Sequence, residues 1–270
     1  MIYVCRVLCF RMTLLYIFFT ILWGFHYNRN AIQTDFQLSD QLYDSSELIA
    51  INAQLVERVN AYQMSFGAGK KGKLLPNQFF QRSISAYEEI QLKNSLLTYK
   101  NPSIKVSMWG WLGNYIGFTG YYNPFTGEAQ VNTTVPIFLQ PFVCCHEIAH
   151  QIGYAREDQA NFIAYLVAKK SSDSCLKYSA YFDLFLYANR ALYECDSTLA
   201  KQFRHQLSPA VRGDIEELKC FNKAHQNKIE PYVSKIYDLF LKTNQQPQGV
   251  ITYSKVVGWL VAYYKKNGAI

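Results

Sequence analysis

Apolar positions recur at several spacings along this chain, and the changes of spacing mark its organisation. Residues 7–25, VLCFRMTLLYIFFTILWGF, are apolar except for Arg11. That matches the roughly 20 residues a membrane-spanning helix needs, and no second segment matches it. Arg6 and Arg11 sit on its N-terminal side, which favours a cytoplasmic N-terminus. Arg11 can snorkel to the headgroups, and Trp23 and Tyr27 suit the opposite interface. A cleaved signal would end in small residues, whereas this run ends in the bulky WGFHYN; a buried core helix is the third reading. The expectation is an uncleaved anchor over residues 1–27, a polar juxtamembrane linker over 28–45, and one domain over 46–270 on the extracytoplasmic, periplasmic side.

Within that domain, Leu48, Ile51, Leu55, Val56 and Val59 fall at helical spacing, so 47–63 is predicted helical. Residues 66–77, with three Gly and one Pro, read as a loop. A helix is predicted over 82–98, ended by the KNPS turn. The pattern then changes: residues 106–138 are rich in aromatics, Thr and Gly. Strands are predicted near 104–109, 116–122 and 128–132, with NPFTG turning the chain between the last two. Helices follow over about 139–152 and 156–170. Three later stretches, 179–196, 215–243 and 253–266, again carry helical apolar stripes. The fold class is α+β, mainly helical, with a small sheet ahead of residue 139.

Composition adds limits. The 270 residues are 50% hydrophobic, ample for a large core, which excludes disorder. The net charge of +7 is scattered, and no basic run suggests nucleic acid; attraction to an anionic membrane surface stays open. The seven cysteines form no zinc-ribbon pair. One disulfide among Cys175, Cys195 and Cys220 is open if the domain is exported; Cys144 and Cys145 read as small hydrophobes on the following helix.

That helix carries the candidate chemistry, in HEIAHQIGYAREDQANF, residues 146–162. Positions four apart share a helix face, so His146 and His150 can point at one ion. Glu147 is turned off the ligand pair yet stays near the ion, as a general base must. The bland alternative is two ordinary histidines on a helix. A catalytic zinc site takes three protein ligands. Gly153 can turn the chain back. Arg156 is no ligand, which leaves Glu157, Asp158 or a distant residue. Glu157 opens the next helix, where the dipole also favours an acid. Asn161, one turn on, can fix the tautomer of a ligand histidine, or be a surface amide.

HExxH followed by Glu157 and Asn161 resembles the glutamate-ligand zincins, the gluzincins. Asn161 stands where Asp is more usual, and the gap of six residues between His150 and Glu157 is short for that class. WGFHYNRN, GFTGYYNPFTGEAQVN and HEIAHQIGYAREDQANFIAYL together resemble an uncharacterised family of bacterial membrane proteins, domain of unknown function 3810. That family has an extracytoplasmic HExxH region, usually behind more membrane helices than the one seen here.

The resemblances imply a membrane-anchored, zincin-like metallopeptidase binding one Zn²⁺ per chain. Zincins place an edge strand beside the HExxH helix, onto which a peptide substrate adds. Here that falls on 116–132, with Gly117 and Gly120 allowing close approach and Tyr121, Tyr122 and Phe125 lining pockets; core aromatics and turn glycines are the plain alternative. Glu128 reads as solvent-facing or a cleft acid. Zincins also draw an oxyanion donor from a later helix, for which Tyr253, His205, His225 and Arg190 are available, Tyr253 first. The competing expectation is a non-catalytic, membrane-tethered binding or scaffold protein. Its zinc would be structural or vestigial, closed by a fourth ligand such as Cys145.

Overall fold

The computed structural model describes residues 2–39, 42–67, 75–244, 246–247, 249 and 255–270. Twelve α-helices and three strands occur among them. Helix α1 (Ile2–Leu22) is long and apolar enough to cross a membrane, alone in this among the described residues. It starts earlier than the apolar run and stops before it ends. The chain then tightens into a 3-10 helix, Gly24–Asn28.

Trp23 and Tyr27, expected as interface anchors, are instead buried at 7% and 8% exposure. The 28–45 segment also departs from a free linker. It forms a short helix α2 (Ile32–Phe36) whose Ile32 is fully buried. Arg29 donates to the Ile152 carbonyl at 2.9 Å and to the Tyr154 hydroxyl at 3.1 Å, and stacks over the Tyr154 ring at 3.9 Å. A five-residue helix is too short to show a period, and Arg29 binds through its guanidinium, which no apolar pattern reports.

The core is a stack of long helices. Helix α3 (Ser45–Gly67) lies along α8 (Ser174–Cys195), and α4 (Pro76–Gln91), α6 (Gln140–Gln151), α7 (Glu157–Lys170) and α12 (Val256–Asn267) pack around them. The predicted 82–98 helix begins at Pro76 instead, where a proline fits the first turn, and gives way to a short 3-10 turn at Ser95–Leu97. The 66–77 loop prediction lies mostly outside the described residues.

The sheet has order β1-β3-β2, with β1 (Ile104–Val106) parallel and β2 (Gly120–Asn123) antiparallel to β3 (Glu128–Val131). Strand β2 is therefore an edge. NPFTG is its turn, closed by Gly127 N–H donating to the Asn123 carbonyl at 2.8 Å. Residues 110–116, lying between the first two predicted strands and overlapping the second only at Ile116, form helix α5 (Gly110–Ile116). The Asn132 amide at the end of β3 ties it down, donating to Asn114 Oδ1 at 2.7 Å and to the Phe118 carbonyl at 3.3 Å. That contact spans the hairpin and leaves no local trace.

The C-terminal region has more breaks than its periodicity suggests: α9 (Ser197–His205), α10 (Pro209–His225) and α11 (Glu230–Thr243). Ser208 caps α10, its hydroxyl accepting from Val211 N–H at 3.3 Å. Asn227 accepts from the backbone of Ile229 and Glu230 at 2.8 and 2.9 Å, which ends the single long helix expected over 215–243. None of the seven cysteines, all among the described residues, is in a disulfide, so the bridge left open among Cys175, Cys195 and Cys220 does not form.

Candidate metal centre

Helix α6 is buried along nearly its whole length and is held from two sides. Its N-terminal Phe142 N–H, one of the donors a helix start leaves unpaired, reaches Ser179 Oγ on α8 at 2.9 Å. The Tyr87 hydroxyl on α4 donates to the Cys145 carbonyl at 2.7 Å. At the other end Gly153 adopts φ +99°, and its N–H donates to the His150 carbonyl at 2.9 Å. A Cβ there would meet His26 Nδ1 at 2.9 Å, so the bend needs glycine both for its backbone and for the segment after α1 that packs against it.

The bend sends α7 back past α6. Glu157, on its first turn, lands between the two rings: Oε2 is 3.2 Å from His146 Nε2 and 3.3 Å from His150 Nε2. These three form a buried group with ligand atoms within 4.8 Å of one another, a group that could hold a metal ion. Neither Asp158 nor Cys145 belongs to it. Asp158 faces away, accepting from Trp259 Nε1 at 3.0 Å and pairing with Arg156 at 3.2 Å.

The supporting contacts set both imidazoles in one tautomer. His146 Nδ1 lies 2.8 Å from Asn161 Oδ1, and His150 Nδ1 lies 2.7 Å from the Tyr154 carbonyl. Both partners are acceptors, so Nδ1 of each ring carries a hydrogen and each Nε2 is directed at Glu157. The Asn161 side chain also bonds Tyr187 of α8. Glu157 Oε1 accepts from the Tyr237 hydroxyl of α11 at 2.9 Å. Its Oε2 has no hydrogen-bond partner, nor has Oε2 of Glu147. Two buried carboxylate oxygens without a hydrogen bond, one of them facing both imidazoles, form an arrangement that a bound cation would complete.

The electrostatics agree with a site built for positive charge. Burial opposes ionisation of Glu157, but the His150 charge and the close approach of both imidazoles hold its carboxyl well below the usual range. Burial works to lower His150, yet Glu157 and Glu147 lift it to about 9. Burial lifts Glu147 to about 7, with His146 and His150 pulling the other way. Asp183 on α8 feels His146 as well and is lifted by burial to about 6.

Two cavities, about 360 and 570 Å³, meet at this centre, sharing Phe118, Gly120, His146, Glu147 and Tyr237. The smaller is aromatic, walled by Phe19, Trp23, Tyr27, Tyr121, Tyr122 and Phe240. Trp23 packs at a tilt against Tyr122, ring centroids 4.7 Å apart, and meets His150 edge-on at 5.8 Å. The larger carries charge, from Arg190, Glu194 and Glu230.

The cleft residues named from the sequence divide unequally. Gly120, Tyr121 and Tyr122 border the smaller cavity and Gly117 the larger. Phe125 stays exposed in the turn, and Glu128 bonds Thr126 and Gln130 on the sheet. Among the donor candidates, Arg190 lines the larger cavity. His225 packs on Tyr115 and Phe221, and His205 ends α9, both outside these cavities. Tyr253 lies outside the described residues. Trp23, Tyr27, Tyr187 and Tyr237 were missed, since only folding brings them to the motif.

No curated protein and no solved structure matches this chain. A family profile does match, over residues 1–261, and the chain therefore belongs to the family described as protein of unknown function, DUF3810.

Proposed function

We propose that this chain is a membrane-anchored zinc metallopeptidase with a zincin-like catalytic domain. The observation that carries the reading is Glu157 Oε2, buried and near-equidistant from two Nε2 atoms at 3.2 and 3.3 Å. Ligand atoms placed tetrahedrally at the ~2.0–2.1 Å typical of zinc are about 3.3 Å apart. Two imidazoles and one carboxylate also suit Zn²⁺ and make the three-ligand set of catalytic sites. When bound, Zn²⁺ supplies Lewis acidity, which acidifies water and polarises a carbonyl.

The remaining work falls to side chains of this protein. Glu147, with a free Oε2 and a carboxyl lifted to about 7, takes the proton of the attacking water and returns it to the leaving amine. Asn161 and the Tyr154 carbonyl hold the two rings. Edge strand β2 offers its backbone to an extended peptide. Arg190 of the larger cavity is the available cation for developing negative charge. Helix α1 anchors the domain, with Arg6 and Arg11 favouring a cytoplasmic N-terminus.

The full chain purified with zinc is expected to hold one ion, and His146→Ala to lose it. Glu147→Gln is expected to keep the metal while peptide hydrolysis disappears. Undiminished turnover in Glu147→Gln would refute the mechanism. A metal held equally well without His146 would refute the site.

A further inference from the structure

Helix α11 has two faces with different surroundings. Glu230, Ser234 and Tyr237 line the cavities at the metal centre, and Leu241 is buried. The other face carries Tyr232, Ile236, Leu239 and Phe240, preceded by Ile229; the first three are 69%, 70% and 65% exposed. At 100° per residue these five fall within about 100° of the helix circumference. Lys235 and Lys242 follow Lys228 at intervals of seven and run along one edge of that stripe. All three lysines are exposed. An apolar face bordered by a row of lysines is the make-up of a helix that lies in a bilayer interface. There the apolar side chains enter the acyl boundary and the lysines reach anionic headgroups.

Position agrees with composition. Phe240 meets Phe19 of α1 edge-on at 6.1 Å. Phe19 is three residues before the end of α1, about 4.5 Å of helix rise. If α1 spans a membrane, Phe240 is level with its last turn, and the stripe continues from the spanning helix.

We propose that the exposed face of α11 docks into the same bilayer that α1 enters. The aromatic cavity walled by Phe19, Trp23 and Phe240 then opens at the membrane surface, between the anchor and the docked helix. This rests on α1 being the anchor and is independent of hydrolysis at the metal centre.

The test uses the full chain in vesicles of phosphatidylcholine and phosphatidylglycerol. Cys5, Cys9, Cys195 and Cys220 are changed to Ser, and one cysteine is introduced for an environment-sensitive fluorophore. Separate variants carry it at Ile236→Cys, Leu239→Cys, Phe18→Cys in α1, and Gln202→Cys on α9 as reference. Labels at 236 and 239 are expected to lose fluorescence to nitroxide-bearing lipid and to be shielded from aqueous iodide, relative to 202. Quenching at 18 but iodide access at 236 and 239 overturns the docked helix and leaves the anchor standing. Shielding at 236 and 239 without nitroxide quenching also overturns it, and assigns the face to a second protein copy. Absence of nitroxide quenching at 18 removes the anchor and the proposal together.

Discussion

Gly120 of the edge strand lies directly against the carboxyl of Glu147: a Cβ at Gly120 would stand 2.5 Å from Glu147 Oε1 and 2.8 Å from its Cγ. The strand and the proposed base are therefore closely fitted, with no room for a side chain between them. Gly120→Ala is expected to displace Glu147 while leaving His146, His150 and Glu157 in place. Misplacement of about 1 Å costs on the order of 10²-fold in rate. Hydrolysis should fall by roughly that factor with metal content unchanged. An Ala variant with full activity would mean the carboxyl has room the structure does not provide.

Asn161 bears on the proposed metal site through His146. With Asn161→Ala the imidazole loses the acceptor at Nδ1, 2.8 Å away, that keeps its Nε2 aimed at Glu157. Loss of such a partner typically costs 10- to 100-fold in metal affinity. Competition with a chelator measures it, and Asn161→Asp, which restores the acceptor, should recover binding.

The titration behaviour gives a pH signature for the metal-free protein. His150 titrates near 6.5 unfolded and is lifted to about 9 folded, so its contribution is complete below about 6.5 and lost as pH rises through 9. Glu147 is lifted from 4.5 to about 7, so the folded state also loses stability relative to the unfolded chain as pH rises through 7. Glu157 is depressed; its contribution is complete above 4.5 and fades progressively as pH falls below that, outside the interval considered. Metal-free protein is therefore expected to melt at progressively lower temperature from pH 6.5 to 9. Zinc needs neutral imidazoles, so the gain in Tm on adding it should widen over the same interval. Thermal melts with zinc and with chelator at each pH check both trends.

Arg29 joins the segment after α1 to the bend that carries His150. Its two donors satisfy the Ile152 carbonyl and the Tyr154 hydroxyl, and the Tyr154 carbonyl in turn accepts from His150. Arg29→Ala removes donors from partly buried acceptors, a loss of about 1–3 kcal/mol. The variant should melt lower and bind metal more weakly. Arg29→Lys should not rescue it, because an ammonium cannot serve both acceptors from over the Tyr154 ring. Unfolding and chelator competition on the two variants test this.

Local pattern carried much of the architecture. Periodicity placed α3, α6, α7 and α12, and the NPFTG turn placed the β2–β3 hairpin, because a helix face or a tight turn is written within a few residues. It missed α5 and misplaced the start of α4, where a distant amide and a first-turn proline decide. It also ran α10 and α11 together, since both share one apolar stripe across the Asn227 cap.

The centre divides the same way. Spacing alone put His146 and His150 on one face and Glu147 off it, and Gly153 marked the bend. Spacing left Glu157 and Asp158 as rivals, for both sit on the first turn of α7. Trp259, a hundred residues on, and Arg156 hold Asp158 away and leave Glu157 to the rings. Trp23, Tyr187 and Tyr237 enter from α1's end, α8 and α11, and Asn161 finds His146 only when α7 folds back. Periodicity states which residues share a face; what that face meets depends on long-range packing, which the chain acquires only when it closes.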